Sequence, residues 1–127
     1  MGSIRPKRVL VVDDNPEAAE ALGELLQLAG HKVVTADDPI AALGVAQQFA
    51  PDVCILDIEL TIMDGYELGK RLREQEPACV LIALTGYGQE HNRNRSEDAG
   101  FQHHLVKPVD GDRLARLVDE APVAART

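Results

Sequence analysis

Residues 52–57 read "DVCILD", and residues 58–65 continue "IELTIMDG". The first half is an apolar run bounded by Asp52 and Asp57, with no polar residue alternating inside it. A strand that shows one face to water alternates; this one does not, so both of its faces are expected to be covered. That is how a strand inside a parallel sheet looks when helices lie on either side. Packing explains the greasy run. It does not explain the carboxylate of Asp57 at its exit, or the second acid, Glu59, two residues later.

The same grammar repeats outward. "RVLVVD" (8–13) is a short β-branched strand. Asn15-Pro16 then supplies an N-cap and a first-turn proline, and Ala19, Leu22, Leu25, Leu26 and Ala29 follow at helical spacing to a stop at Gly30. "KVVTA" (32–36) is a second strand, and Asp38-Pro39 opens a helix with Ile40, Leu43 and Ala46 expected on its buried face. After the third strand, Asp64 caps a helix carrying Leu68 and Leu72. "CVLIALT" (79–85) and "HHLVK" (103–107) are the fourth and fifth strands, and Asp110 caps a last helix with Leu114, Leu117 and Val118. Strands alternating with helices predict an α/β domain with a parallel sheet. The segment "GYGQEHNRNRSEDAG" (86–100) departs from the pattern, because Gln89 to Asp98 offer no apolar side chain. Two readings stay open there: a short, weakly packed helix free to move, and a plain solvated helix.

Composition narrows the function. The chain has 127 residues, enough for one domain, and 13 Lys+Arg against 21 Asp+Glu give a net charge of −8. That balance argues against a nucleic-acid or anionic-membrane surface and favours a cation or a basic partner. No apolar run approaches the ~20 residues that span a bilayer. "MGSIRPKR" lacks the apolar core of a signal peptide, and Pro6 stands where a myristoylation signal needs Ser or Thr. Residues 1–6 read as an extension or cloning scar, 7–120 as the domain, and 121–127 as a tail or linker stub. The two cysteines, Cys54 and Cys79, both sit in apolar runs, so two buried free thiols in a reducing cytoplasm are expected, with nothing to acidify either.

In an open parallel sheet, ligands bind at the carboxyl ends of the strands. Here those ends carry Asp13 and Asp14, Asp57, Thr85, and Lys107 followed by Pro108. Each alone is explained by a turn or a helix cap. Four strand ends bearing the right types together are not. Three clustered carboxylates repel one another unless a cation neutralises them, and Mg²⁺ takes hard oxygen ligands and keeps sites open for phosphate. A carboxylate so placed can attack a phosphoryl group to give an aspartyl-phosphate, while a lysine and a hydroxyl grip the phosphoryl oxygens.

With these motifs, "VVDDN", "ILDIELTIMDG", "IALTGYG" and "HLVKP", in this order over roughly residues 7–120, the sequence resembles the receiver domain of two-component response regulators. The resemblance implies a flavodoxin-like (βα)5 doubly wound sheet of order 2-1-3-4-5. It implies Asp57 as phosphoacceptor, with Asp14 as direct Mg²⁺ ligand, Asp13 acting mainly through water, and the Glu59 backbone carbonyl as a further ligand. It implies Thr85 and Lys107 as the switch hydroxyl and the phosphate-binding lysine, and a cis Lys107-Pro108 bond. Gly86, Tyr87 and the Glu59 side chain match positions that tune access and hydrolysis. The phosphoryl donor would be a sensor histidine kinase or a phosphotransfer protein, and the target a downstream protein or fused kinase module. The chain would act as a cytoplasmic switch with slow autodephosphorylation rather than as an enzyme. The motif style resembles receivers attached to hybrid sensor kinases.

Departures from the family pattern are informative. Thr61 stands where a proline is usual. His104 stands three residues before the lysine, where Tyr or Phe is usual, and is read as a semi-exposed polar residue that also titrates near neutrality. Two rivals remain. "DIELT" superficially resembles the nucleophile motif of haloacid-dehalogenase-like phosphatases, but it follows the third strand rather than the first. A pseudo-receiver that binds without phosphorylation has no need of the full Asp13/Asp14/Asp57/Thr85/Lys107 set.

Overall fold

The computed structural model of the chain describes residues 6–60, 62–86 and 93–123. Thr61 and Tyr87 lie outside the described residues, as do the first five residues and the last four. The elements run β1 (Arg8–Val12), α1 (Pro16–Leu28), β2 (Lys32–Ala36), α2 (Pro39–Phe49), β3 (Val53–Asp57), α3 (Gly65–Gln75), β4 (Val80–Thr85), α4 (Arg93–Ala99), β5 (Phe101–Val106) and α5 (Gly111–Glu120). All strand pairs are parallel, in the order β2-β1-β3-β4-β5.

Alternate side chains of the central strands feed two cores, because successive residues of a strand point to opposite faces. Val9, Val11, Val53 and Ile55 pack with Leu26 of α1 and with Leu114 and Val118 of α5. Leu10, Val12, Cys54 and Leu56 pack with Ala42 and Ala46 of α2 and with Leu68 and Leu72 of α3. Both faces of β1, β3 and β4 are thereby covered, which accounts for their unbroken apolar runs. Ala121, just past α5, still belongs to the first core.

The helices start where their caps are. The side chains of Asn15, Asp38, Asp64 and Asp110 each accept from first-turn amides, and Pro16 and Pro39 occupy positions that lack an intrahelical acceptor anyway. Gly30, at φ 99°, ends the turn after α1 in the left-handed region. Ala50 ends α2 the same way at φ 52°, without glycine's freedom.

Three expectations need correction. On α2 the buried residues are Pro39, Ala42 and Ala46, while Ile40 is 56% exposed and Leu43 only partly buried. The helix is fully buried at Ala42 and Ala46, with Leu43 and Val45 packed at the margin of the core and Ile40 turned outward. β4 begins at Val80 rather than Cys79, and β5 runs from Phe101 to Val106 rather than from 103 to 107. The pairing slips between Leu81↔Phe101 and Ile82↔His103, which leaves Gln102 as an extra residue. Its side-chain Oε1 takes the Leu81 amide at 2.8 Å, and Arg73 supports it at 3.2 Å. The third correction concerns the thiols. Cys54 and Cys79 are buried and free. A hydrogen bond from Cys54 pulls the Cys79 thiol below its ordinary value against the effect of burial, with the charge of Arg73 helping. The same contact, with burial, pushes Cys54 well up.

At the opposite end of the sheet from Asp57, buried His31 accepts the Lys7 amide at Nδ1 (2.9 Å) and meets Asp119 of α5 at Nε2 (2.7 Å). This contact ties the last turn of α5 to the start of β1 and β2.

Candidate functional site

The residues expected at the strand ends do converge. Asp13 and Asp14 follow β1, and Asp57 is the last residue of β3; because Val12 pairs with Leu56 across adjacent strands, Asp13 and Asp57 each come one residue after that pair. One carboxylate oxygen from each of the three acids lies within 4.8 Å of the others. Asp13 and Asp57 are nearly sealed, at 1% and 4% exposure, while Asp14 is exposed.

Each buried acid is held from two sides. Asp13 Oδ1 accepts the Asn15 amide at 2.9 Å, and Asp57 Oδ1 accepts the Glu59 amide at 2.9 Å. These short turns fix the carboxylates relative to the backbone. The other oxygens, Asp13 Oδ2 and Asp57 Oδ2, share the Lys107 ammonium at 3.1 and 3.3 Å. Burial works against the charge of Lys107, but the Asp13 hydrogen bond and the Asp57 and Asp13 charges outweigh it, so its pKa is raised. Lys107 follows β5 directly, its amide bonds the Thr85 carbonyl at 2.8 Å, and the Lys107-Pro108 peptide is cis.

The other candidates fall differently. Thr85 is buried at the end of β4, and its hydroxyl points to the Leu105 carbonyl at 3.5 Å rather than to a carboxylate. Gly86 adjoins it, half-buried. The Glu59 side chain is exposed, so its backbone amide is the group the structure puts on Asp57. His104 is half-buried on β5, with Nε2 2.9 Å from Ser96 Oγ and its ring 5.8 Å from that of Phe101.

Two contributors were missed by sequence reasoning. Gly65 donates its amide to the Ile58 carbonyl at 3.0 Å, and a Cβ there would stand 2.6 Å from the Asp57 carbonyl oxygen. The glycine in "MDG" was the available signal. Asn15 was legible as a cap, but not as the residue whose amide fixes Asp13.

The donor set suits a small hard cation: three carboxylates on one spot, two of them already sharing a single ammonium. The "DIELT" stretch that starts at Asp57 follows β3 rather than β1, which sets it apart from the phosphatase rival, whose nucleophile motif follows a first strand.

A family model described as "Response regulator receiver domain" matches residues 9–119. An uncharacterised 14.6 kDa protein of Leptolyngbya boryana is 35% identical over 122 residues, covering 94% of this chain and 93% of that protein. The virulence sensor protein BvgS of Bordetella bronchiseptica is 36% identical over 125 residues, covering 93% of this chain but 10% of the sensor. Among solved structures, a CheY-like response regulator receiver domain protein from Methanospirillum hungatei superposes with a TM-score of 0.85 at 28% identity, covering 91% of this chain and 93% of that one.

Proposed function

This chain belongs to the response regulator receiver domain family, and we propose that Asp57 is the residue on which it accepts a phosphoryl group. The observation that carries the assignment is the shared ammonium: Lys107 bonds Asp57 and Asp13 together at the carboxyl edge of the sheet. A lysine there neutralises the acids at rest and is within reach of a phosphoryl group arriving on Asp57.

The donor is a phosphohistidine of a sensor histidine kinase or a phosphotransfer protein. An Asp57 carboxylate oxygen attacks phosphorus, the O–P bond forms, the N–P bond breaks, and its electron pair returns to the imidazole. Asp57 is aimed by its Oδ1 bond to the Glu59 amide. Lys107 then exchanges its Asp57 contact for a phosphoryl oxygen. Asp14, Asp13, Asp57 and the Glu59 carbonyl would hold Mg²⁺. When bound, the ion offsets the clustered negative charge and polarises the phosphoryl oxygens. Thr85 turns from Leu105 toward the phosphoryl group, which shifts α4 and changes a partner-binding face. Gly86, Tyr87 and the Glu59 side chain set the lifetime of the phosphorylated state, and His104 takes the place of the usual aromatic.

The working unit is residues 7–120, with Ala121 just beyond it still packed on its core, and its target is a downstream protein or a fused kinase module in the cytoplasm. No helix among the described residues is long and apolar enough to cross a membrane, and the excess of acids disfavours nucleic acid.

The test is incubation with Mg²⁺ and acetyl phosphate, followed by intact mass. A gain of about 80 Da that disappears in Asp57→Asn is expected. An adduct that persists in Asp57→Asn, or none in the wild type with this donor and a cognate kinase, refutes the assignment.

A further inference from the structure

α4 has no apolar stripe, and among its described side chains only Ser96 and Ala99 are buried. Among the described contacts, polar side chains of two consecutive residues tie it to its neighbours. Arg95 reaches back to α3: its Nη2 lies 2.6 Å from Asp64 Oδ2, and its guanidinium carbon sits 4.8 Å from the centre of the Tyr66 ring. Ser96 reaches the other way, to His104 on β5.

Asp64 cannot simply follow α4. Its second oxygen, Oδ1, accepts the Glu67 amide and caps α3. The next residue is Gly65, which is packed against the Asp57 carbonyl and bonded to Ile58. One ion pair and one rigid turn therefore separate α4 from the backbone of Asp57.

We propose that Arg95 is a positioning residue, a latch that ties α4 to the turn behind Asp57 and holds the chain in its resting arrangement. This rests on the reading of Asp57 as phosphoacceptor. The contact suits a latch better than a strut. The side chains of Arg95 and Asp64 are 48% and 37% exposed, so the pair is weak and screened by salt. With little apolar burial to hold α4, a weak contact is enough to bias its position. A latch made only in the resting arrangement disfavours the phosphoryl-accepting one by its own net strength, and losing it raises the accepting population by the same factor.

The experiment compares the wild type with Arg95→Ala, Arg95→Lys, Asp64→Asn and the Arg95→Ala/Asp64→Asn double variant. Asparagine keeps a capping oxygen for Glu67 and removes only the charge. Two readouts are taken: the initial rate of Asp57 phosphorylation by acetyl phosphate at low and high salt, and amide hydrogen exchange of residues 95–100 without phosphodonor. The expected result is a rate increase of roughly two- to fivefold in Arg95→Ala and in Asp64→Asn, with the double variant no faster than either. Arg95→Lys stays near the wild type. High salt acts on the reaction of every variant, so the ratio is read: the rate of Arg95→Ala over wild type falls toward one at high salt. Exchange of 95–100 quickens in Arg95→Ala and is restored in Arg95→Lys. An Arg95→Ala chain with wild-type exchange overturns the latch, whether or not Asp57 takes a phosphoryl group. So does a rate in Arg95→Ala that is unchanged or lower, or effects that simply add in the double variant. Absence of phosphorylation in the wild type instead sinks the Asp57 reading, and the exchange measurement still decides the latch.

Discussion

Replacing Gly65 with alanine should loosen the chain at the point where the α3 start touches the phosphoacceptor strand. An added Cβ would lie 2.6 Å from the Asp57 carbonyl oxygen, 2.6 Å from Ile58 Cα and 2.9 Å from Ile58 Cδ1. Two of these three atoms are backbone, and both belong to the segment that carries Asp57, so relief requires α3 or the strand end to move. Overpacking of this kind costs about 1–3 kcal/mol. Alanine's better helix propensity returns at most about 1 kcal/mol, and less in the first turn. A net loss of about 1–2 kcal/mol is expected, which corresponds to a fall in Tm of roughly 3–12 °C for a domain of this size. Gly44 is the internal control: a Cβ there meets nothing within 4 Å on an exposed face of α2. Gly44→Ala should stabilise by about 0.5–1 kcal/mol. Urea titrations of both variants, with unchanged m-values, provide the comparison. An unchanged or raised midpoint in Gly65→Ala would refute the claim that this close approach positions Asp57.

Three further outcomes follow from particular contacts. Gln102→Leu removes the acceptor for the buried Leu81 amide and should cost about 1–3 kcal/mol in a urea titration, whereas Gln102→Glu keeps an acceptor and a partner for Arg73 and should stay close to the wild type. Ala50→Gly relieves a left-handed C-cap at φ 52° and should raise the urea midpoint by the equivalent of about 0.5–1 kcal/mol. Mg²⁺ should raise the Tm of the wild type in a concentration-dependent manner, and Asp14→Asn should weaken that response, since Asp14 is one of the three clustered acids.

The parallel sheet was legible because burial on both faces erases alternation, as in Val53–Leu56 and Val80–Leu84. β2 could be read to the residue from its β-branched core and the turn residues around it. The buried face of α2 was not legible, because Ala42 and Ala46 carry little hydrophobic signal while Ile40 carries much. The slip at Gln102 left no trace in the apolar pattern, since a single extra residue changes pairing without changing composition. Within the site, the convergence of Asp13, Asp14, Asp57 and Lys107 followed from chain order and parallel pairing alone. Which oxygen of each acid meets Lys107, the turn of Thr85 toward Leu105, and the pairing of Arg95 with Asp64 are matters of side-chain geometry. The contact between His31 and Asp119 joins residues 88 positions apart, and no local pattern announces it.

The central claim is that one particular carboxylate of three takes the phosphoryl group. The most direct measurement is borohydride reduction of the chain after treatment with acetyl phosphate and Mg²⁺, followed by peptide mapping. Reduction converts an aspartyl-phosphate to homoserine and so marks the residue itself. Homoserine at position 57, with Asp13 and Asp14 intact, is the predicted result. Homoserine at position 13 or 14, or none at 57 in a preparation that carries the phosphoryl adduct, would contradict it.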